Sequence, residues 1–409
     1  MQKNIEIMSP VGSYESLMGA IQAGANSVYF GIEKLNMRAK SSINFKLEDI
    51  EKIVKICKKF KVKTYLTLNV VIYDKELEDM KIIVNSAKKN GIDAIIASDM
   101  AVINYSISQN MPVHISTQVN ITNIESVKFY SKFSDVMVMA RELNLEQIKN
   151  ITDEIKKQKI KGISGKNVKI EIFIHGALCM AVSGKCYLSL HENNFSANRG
   201  NCLQTCRKSY IVTEKETNYQ LEIDNEYIMS PKDLCTIDFL DKILDTGVSV
   251  LKIEGRARSP EYVKFVTKSY VEAINLIKNG NFNEEKFKIL KENLKKVFNR
   301  GFWGGYYMGK KIGEWSDTYG SKAKTKKFYI GKGKNYFKKI KVAEFLLQAG
   351  DLKVGDEILI TGPTTGVINT KVKEIRVNLE KTKIAKKGEI CSIAIEKTVR
   401  ASDKLYIIK

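Results

Sequence analysis

No apolar run in the sequence approaches the roughly 20 residues a membrane-spanning helix needs. The opening Met1-Gln-Lys-Asn-Ile-Glu-Ile-Met8 lacks the apolar stretch and small-residue cleavage site of a secretory signal. These absences predict a cytoplasmic chain without a membrane partner, in a compartment that disfavours structural disulfides. Short repeats and low-complexity tracts are missing too, and an apolar fraction of 44% with 28% charged residues excludes intrinsic disorder. Neither a His-Glu-x-x-His helix nor a Gly-x-Ser-x-Gly elbow occurs, so zinc metallopeptidase and serine-hydrolase motifs are absent. Histidine is scarce, with three in all.

Acidic residues are outnumbered, 46 Asp+Glu against 67 Lys+Arg, a formal charge of +21. From Lys322 onward there are 21 Lys+Arg and 9 Asp+Glu, so the last fifth of the chain carries more than half of the excess. Clustered cations favour a polyanion, most simply RNA, because phosphate contacts release counterions. The competing explanation is a lysine-rich proteome, consistent with the abundance of Ile, Lys and Asn.

What is present in an unusual pattern is cysteine. Of seven, Cys57 sits on a helical pattern and Cys391 in a strand, as core packing would have it. Cys179, Cys186, Cys202 and Cys206 cluster as C-x6-C-x15-C-x3-C, and Cys235 follows in Ser230-Pro-Lys-Asp-Leu-Cys235. Thiolates at this density look like soft-metal ligands; the spacing is not the paired C-x2-C of common zinc ribbons, and an iron–sulfur cluster is the leading reading. Zinc and buried or redox thiols remain alternatives. His175 stands four residues before Cys179, compatible with a thiol–imidazole pair, a catalytic proton carrier or a neutral structural histidine.

Eight short β-branched runs alternate with helical patterns: Ile5–Met8, Ser27–Ile32, Lys63–Val70, Ala94–Ser98, Pro112–Thr117, Asp135–Ala140, Val168–His175 and Val248–Glu254. That count predicts a TIM-like (β/α)8 barrel over residues 1–310. A cysteine-rich insertion, about 177–247, falls between strands seven and eight, and long insertions of this kind are commonly functional. Helices are expected from Ser259 to about Asn279 and over about Glu284–Val297, then a connector around Arg300–Tyr307. After a linker at 311–327 the pattern changes to short strands with Gly and Pro turns, which predicts a small β-barrel over 328–409.

Strand ends of such a barrel converge on its C-terminal face. Arg38, Asn69, Gln118 and Arg141 fit a substrate-binding pocket there. Lys252-Ile-Glu254-Gly-Arg256-Ala-Arg258 closes the eighth strand with an acid and two guanidinium groups, suited to a carboxylate or an RNA phosphate. A salt-bridged turn that only stabilises the barrel is the plainer alternative.

The segments Glu171–Ser189, Asn198–Arg207, Lys232–Cys235 and Lys252–Arg256 together resemble the collagenase-like peptidase family U-32, a likeness running over nearly the whole chain. Members include proteins described as collagenases, RNA hydroxylation proteins and proteins of oxygen-independent ubiquinone hydroxylation. The chain looks most like the subgroup that supports 5-hydroxyuridine formation at the tRNA wobble position; an rRNA cytidine hydroxylation protein and a peptidase are the other readings. The resemblance implies a [4Fe–4S] cluster on Cys179, Cys186, Cys202 and Cys206, with Cys235 a fifth candidate. It also implies prephenate as co-substrate, tRNA as partner, a possible paired family member, and a C-terminal domain similar to the second domain of elongation factor Tu. On this reading His175, Glu254 and Arg256 are the catalytic candidates, with His175 moving a proton near the cluster and Arg256, Arg141 and Arg38 holding the prephenate carboxylates.

Overall fold

In a computed structural model, which describes residues 5–39, 44–211, 213–218, 227–309 and 313–409, each of the eight β-branched runs overlaps a strand. They are β1 (Glu6–Pro10), β2 (Ser27–Phe30), β3 (Lys63–Leu68), β4 (Ala94–Ala97), β5 (Val113–Ile115), β6 (Val136–Val138), β7 (Lys169–Gly176) and, after the short β8 (Asp233–Cys235), β9 (Val250–Ile253). Pairing is parallel from β1 through β7, and β9 joins β7 to β1, which closes an eight-stranded barrel. Strands buried on both faces have no polar alternation to show, which is why they read as apolar runs.

Helices α1 (Tyr14–Gln22), α2 (Asp49–Lys59), α3 (Leu77–Asn90), α4 (Met100–Ser108), α5 (Ile124–Ser131) and α6 (Leu145–Lys157) cover the outside. Their starts are written locally. The side chains of Ser13, Asp99, Asn123 and Asn144 accept from backbone N–H groups of the first turns, satisfying donors that a helix start leaves unpaired. On α2 the buried side is Ile50, Ile53, Val54 and Cys57, so Cys57 is core. Within the insertion lies α7 (Leu188–Asn193); α8 (Leu240–Asp245) then leads back into β9, and α9 (Pro260–Lys278) carries proline in its first turn. Among the described residues no helix is long and apolar enough to cross a membrane.

The end of the insertion and the expected connector belong to the barrel's rim. β8 runs antiparallel to the tip of β7, and β10 (Phe302–Trp303), which follows α10 (Glu284–Lys295), pairs parallel with β8. Residues 310–312, where the sequence places the domain boundary, lie outside the described residues. Much of the linker is tied down: Ser316 N donates to Ser230 O, Lys322 N to Asn299 O and Lys324 N to Lys295 O.

The C-terminal domain begins one residue before the expected boundary. Its strands are β11 (Lys327–Phe337), β12 (Val342–Leu347), β13 (Leu352–Lys353), β14 (Glu357–Gly362), β15 (Gly366–Lys371), β16 (Ile375–Val377), β17 (Glu380–Thr382), β18 (Ile384–Ala385), β19 (Ile390–Ala394) and β20 (Lys404–Ile408). Eight form one antiparallel sheet in the order β15-β14-β20-β11-β12-β19-β16-β17, and β13 pairs with β18. Cys391 packs with Phe345, Ile360 and Leu405 in its core. The domain docks on α1 and α9. The Gln22 amide bridges Thr365 O at 2.7 Å and Val367 N at 3.1 Å, and Lys264 donates to Val367 O at 2.6 Å.

Candidate active site: thiols and arginines at the barrel mouth

The last residues of the strands and the insertion above them enclose a cavity. Its wall takes Arg38 from the loop after β2, Thr67 and Asn69 from the end of β3, Gln118 after β5 and Arg141 after β6; Glu254 and Arg256 line it from the end of β9. Sequence reasoning had gathered all of these but Thr67 from separate strand ends, and the barrel brings them to one place. They are already connected. Arg38 Nη2 donates to Glu254 Oε1 at 2.9 Å, and Asn69 Nδ2 donates to Gln118 Oε1 at 3.2 Å. Arg256 is buried, with Nη1 on Thr67 Oγ1 at 2.9 Å and Nη2 on Asn36 Oδ1 at 3.0 Å. Room for it comes from Gly31, where any Cβ would collide with Arg256 Nη1 and the Asn36 amide.

These contacts define charge states. Burial would raise the pKa of Glu254, but the guanidinium groups of Arg38, Arg141 and Arg256 outweigh it and hold the carboxyl down at about 2. Burial pulls Arg256 down to about 10, so it stays charged at neutral pH. Glu254 is thus a fixed counter-ion for three arginines. A group locked in that role is a poor proton donor or acceptor near neutrality.

Arg141 lies with its guanidinium carbon 3.8 Å from the Phe173 ring centroid and donates to Ala177 O at 3.0 Å, while its buried Nε has no hydrogen-bond partner. The cavity also takes Arg258, the second guanidinium read at the end of the eighth strand, and Lys252, Arg207 and Arg300, which the sequence reading had not assigned to the pocket. Lys252 had a detectable signal: it lies two residues before Glu254 on the same strand, hence on the same face. Arg300 had none, since its side chain arrives from beyond α10.

The insertion supplies the thiols. Cys179, Cys186, Cys202 and Cys206 all line the cavity and none is in a disulfide. Two arginines press this segment onto the barrel. Arg199 forms a fork on the Glu76 carboxylate with its guanidinium 3.8 Å from the Tyr73 ring centroid, and Arg207 donates to Leu178 O and Pro231 O, both at 2.6 Å. Two of the thiols are held toward their neutral form: burial pushes Cys206 up to about 11 and also raises Cys186. A soft cation is what reverses that preference, because it binds the thiolate form. Four reduced sulfur donors lining one cavity suit an iron–sulfur cluster or zinc by donor chemistry, although among the described residues no three His, Cys, Asp or Glu side chains already stand in a metal-holding arrangement.

Cys235 is separate. It is buried beneath β7, 4.0 Å from the Tyr270 hydroxyl, and does not line the cavity. His175 is there too, and does not meet Cys179 or the cavity wall. Plain alternation along β7 would aim Glu171, Phe173 and His175 the same way, but the pairing with β9 shifts register between Phe173 and His175. The shift turns His175 outward beneath α9, where its ring packs among Tyr262, Tyr270 and Phe302 and Nδ1 lies 3.3 Å from Tyr270 Oη. Burial, with some help from the Arg258 cation, pushes its pKa down to about 3. The proton-carrying role expected of His175 therefore gives way to that of a neutral packing residue.

The peptidase family U32 model matches residues 12–317. The chain is 56% identical over 403 residues to a protein named collagenase from Porphyromonas gingivalis, covering 98% of this chain and 97% of that one. It is 37% identical over 414 residues to a protein named an uncharacterized protease from Methanocaldococcus jannaschii, covering 100% and 99%. To tRNA hydroxylation protein P1 of Bacillus subtilis it is 30% identical over 372 residues, covering 88% and 84%. The relatives carry names of two different activities, while the family model spans the whole barrel: the chain belongs to peptidase family U32.

Proposed function

We propose that this U32 member is an RNA-modifying enzyme that holds a [4Fe–4S] cluster on Cys179, Cys186, Cys202 and Cys206 and hydroxylates the wobble uridine of tRNA at C5 with prephenate as co-substrate. The observation that carries the reading is that four unpaired thiols and the arginines Arg38, Arg141 and Arg256 line one cavity at the barrel mouth. A bound cluster would supply redox chemistry that side chains cannot. The chain's own residues do the rest. Arg141, with its unpartnered buried Nε, offers a donor to a carboxylate. Arg258, whose guanidinium carbon lies 3.5 Å from the Phe298 ring centroid, has no acceptor among the described residues and offers another. Arg256 and Glu254 act indirectly by fixing the loop that carries Arg38. The cations concentrated after Lys322 would bind tRNA phosphates.

A second reading, a collagenase-like peptidase, is favoured by the greater identity to the Porphyromonas gingivalis collagenase than to the Bacillus subtilis hydroxylation protein. A thiol peptidase needs an imidazole beside its nucleophile. The histidine nearest to Cys179 in sequence is turned away, so that route would require a different base.

The test compares the parent with Cys179→Ser and Cys235→Ser variants, purified without oxygen. About four irons and four sulfides per chain, lost in Cys179→Ser and kept in Cys235→Ser, are expected. Nucleosides from tRNA of cells relying on each variant should contain 5-hydroxyuridine only where the cluster is kept. Gelatin cleavage that persists in an iron-free protein, with no tRNA change, would replace the first reading with the second.

A further inference from the structure

Below the arginines, the barrel interior holds charge that the proposed reaction does not use. Lys252 of β9 is 4% exposed and donates to Glu171 Oε1 of β7 at 2.7 Å. Glu171 is fully enclosed; its other oxygen faces His114 Nδ1 of β5 at 3.8 Å, and neither of those two atoms has a hydrogen-bond partner. Burying an ion pair in a barrel core costs several kcal/mol of desolvation per ion, and well-packed apolar residues would serve stability at least as well. Such a pair calls for a use.

The ammonium itself shows where the use is. It carries three N–H donors. Among the described residues only one has an acceptor, the Glu171 oxygen. Its other near neighbours are aromatic faces, with Nζ 4.6 Å from the Tyr29 ring centroid and 5.5 Å from that of Phe173. Lys252 also lines the cavity, one strand pleat deeper than Glu254, and the wall near it includes the apolar surfaces of Ile96 and Phe173.

We propose that Lys252 is the inner anion contact of this cavity, so that a diacid ligand sits with one carboxylate among the mouth arginines and the other on the Lys252 ammonium. The inference rests on the reading that the cavity takes the dicarboxylate prephenate, and it adds which residue receives the second carboxylate. Glu171 acts as a positioning residue: it holds the ammonium at the floor and leaves two of its donors for the ligand. The apolar side walls suit the carbon skeleton between the two charged ends.

Symmetric diacids avoid any question of which end enters first. Thermal shifts of the full-length, anaerobically purified protein would be recorded with succinate, glutarate and adipate against butyrate, valerate and hexanoate. In the parent at least one diacid should raise the melting temperature at concentrations tenfold below its matched monoacid. Lys252→Met should erase that tenfold preference while leaving the monoacid response in place. Since the variant leaves Glu171 without its ion-pair partner, a Lys252→Met, Glu171→Gln double variant provides a form without the orphan carboxylate and should behave the same. A monoacid as effective as its diacid in the parent, or a preference that survives in the double variant, overturns the role of Lys252 while the carboxylate pocket stands. No response to any acid would remove both.

Discussion

Replacing His175 with Phe separates a packing histidine from a catalytic one. In the folded protein the imidazole is neutral, its pKa pushed by burial from the ordinary 6.5 to about 3. A group whose folded pKa is depressed binds more protons when unfolded, so its contribution is complete above pH 6.5 and is lost as pH falls toward 3. Each unit inside that window costs about 1.4 kcal/mol. Between pH 7 and pH 5 the parent should lose about 2 kcal/mol through this residue alone. His175→Phe cannot titrate and should keep that stability. Its cost at pH 7 should be about 1 kcal/mol, because Tyr270 retains its bonds to Ile174 O and Thr236 N and loses only the contact to Nδ1. Urea unfolding followed by tryptophan fluorescence at the two pH values, on parent and variant, measures the difference. An equal loss in both proteins would refute the buried-neutral assignment. A folded variant with no activity would return His175 to the reaction.

Two further substitutions test how the site and the domains are held. Gly31→Ala puts a methyl group into the space of Arg256 Nη1, so the guanidinium must leave Thr67 and Asn36; a destabilisation of roughly 1–3 kcal/mol is expected by denaturation, and unchanged stability would mean the loop yields freely. Gln22→Ala leaves Thr365 O and Val367 N without their side-chain partner at the interface between barrel and C-terminal domain, at a cost of roughly 1–3 kcal/mol; limited proteolysis should cut between residues 313 and 326 faster than in the parent, and identical cleavage rates would show that the apolar contacts suffice.

What the sequence by itself determined was the set of local decisions and their order. Eight β-branched runs with helical patterns between them specify a (β/α)8 barrel because strands buried on both faces must be apolar and each parallel neighbour needs a crossover. Strand ends then predict Arg38, Asn69, Gln118, Arg141, Glu254 and Arg256 at one mouth, since parallel strands all end on the same side. Helix starts are set just as locally, by Ser13, Asn123 and Asn144, whose capping acts within three residues.

Only the tertiary structure decided which of those candidates face one another. The register shift that turns His175 outward arises from pairing with β9, whose partner residues lie nearly eighty positions further along the chain, so alternation within β7 carries no trace of it. Cys235 parts from the other four cysteines because β8 docks on the tip of β7, a pairing that spacing cannot foresee. Lys252, Glu171 and His114 meet because three separate strands point inward at one level of the barrel. A buried charge is tolerated only where its partners converge, and convergence is a property of the closed barrel, not of any segment within it.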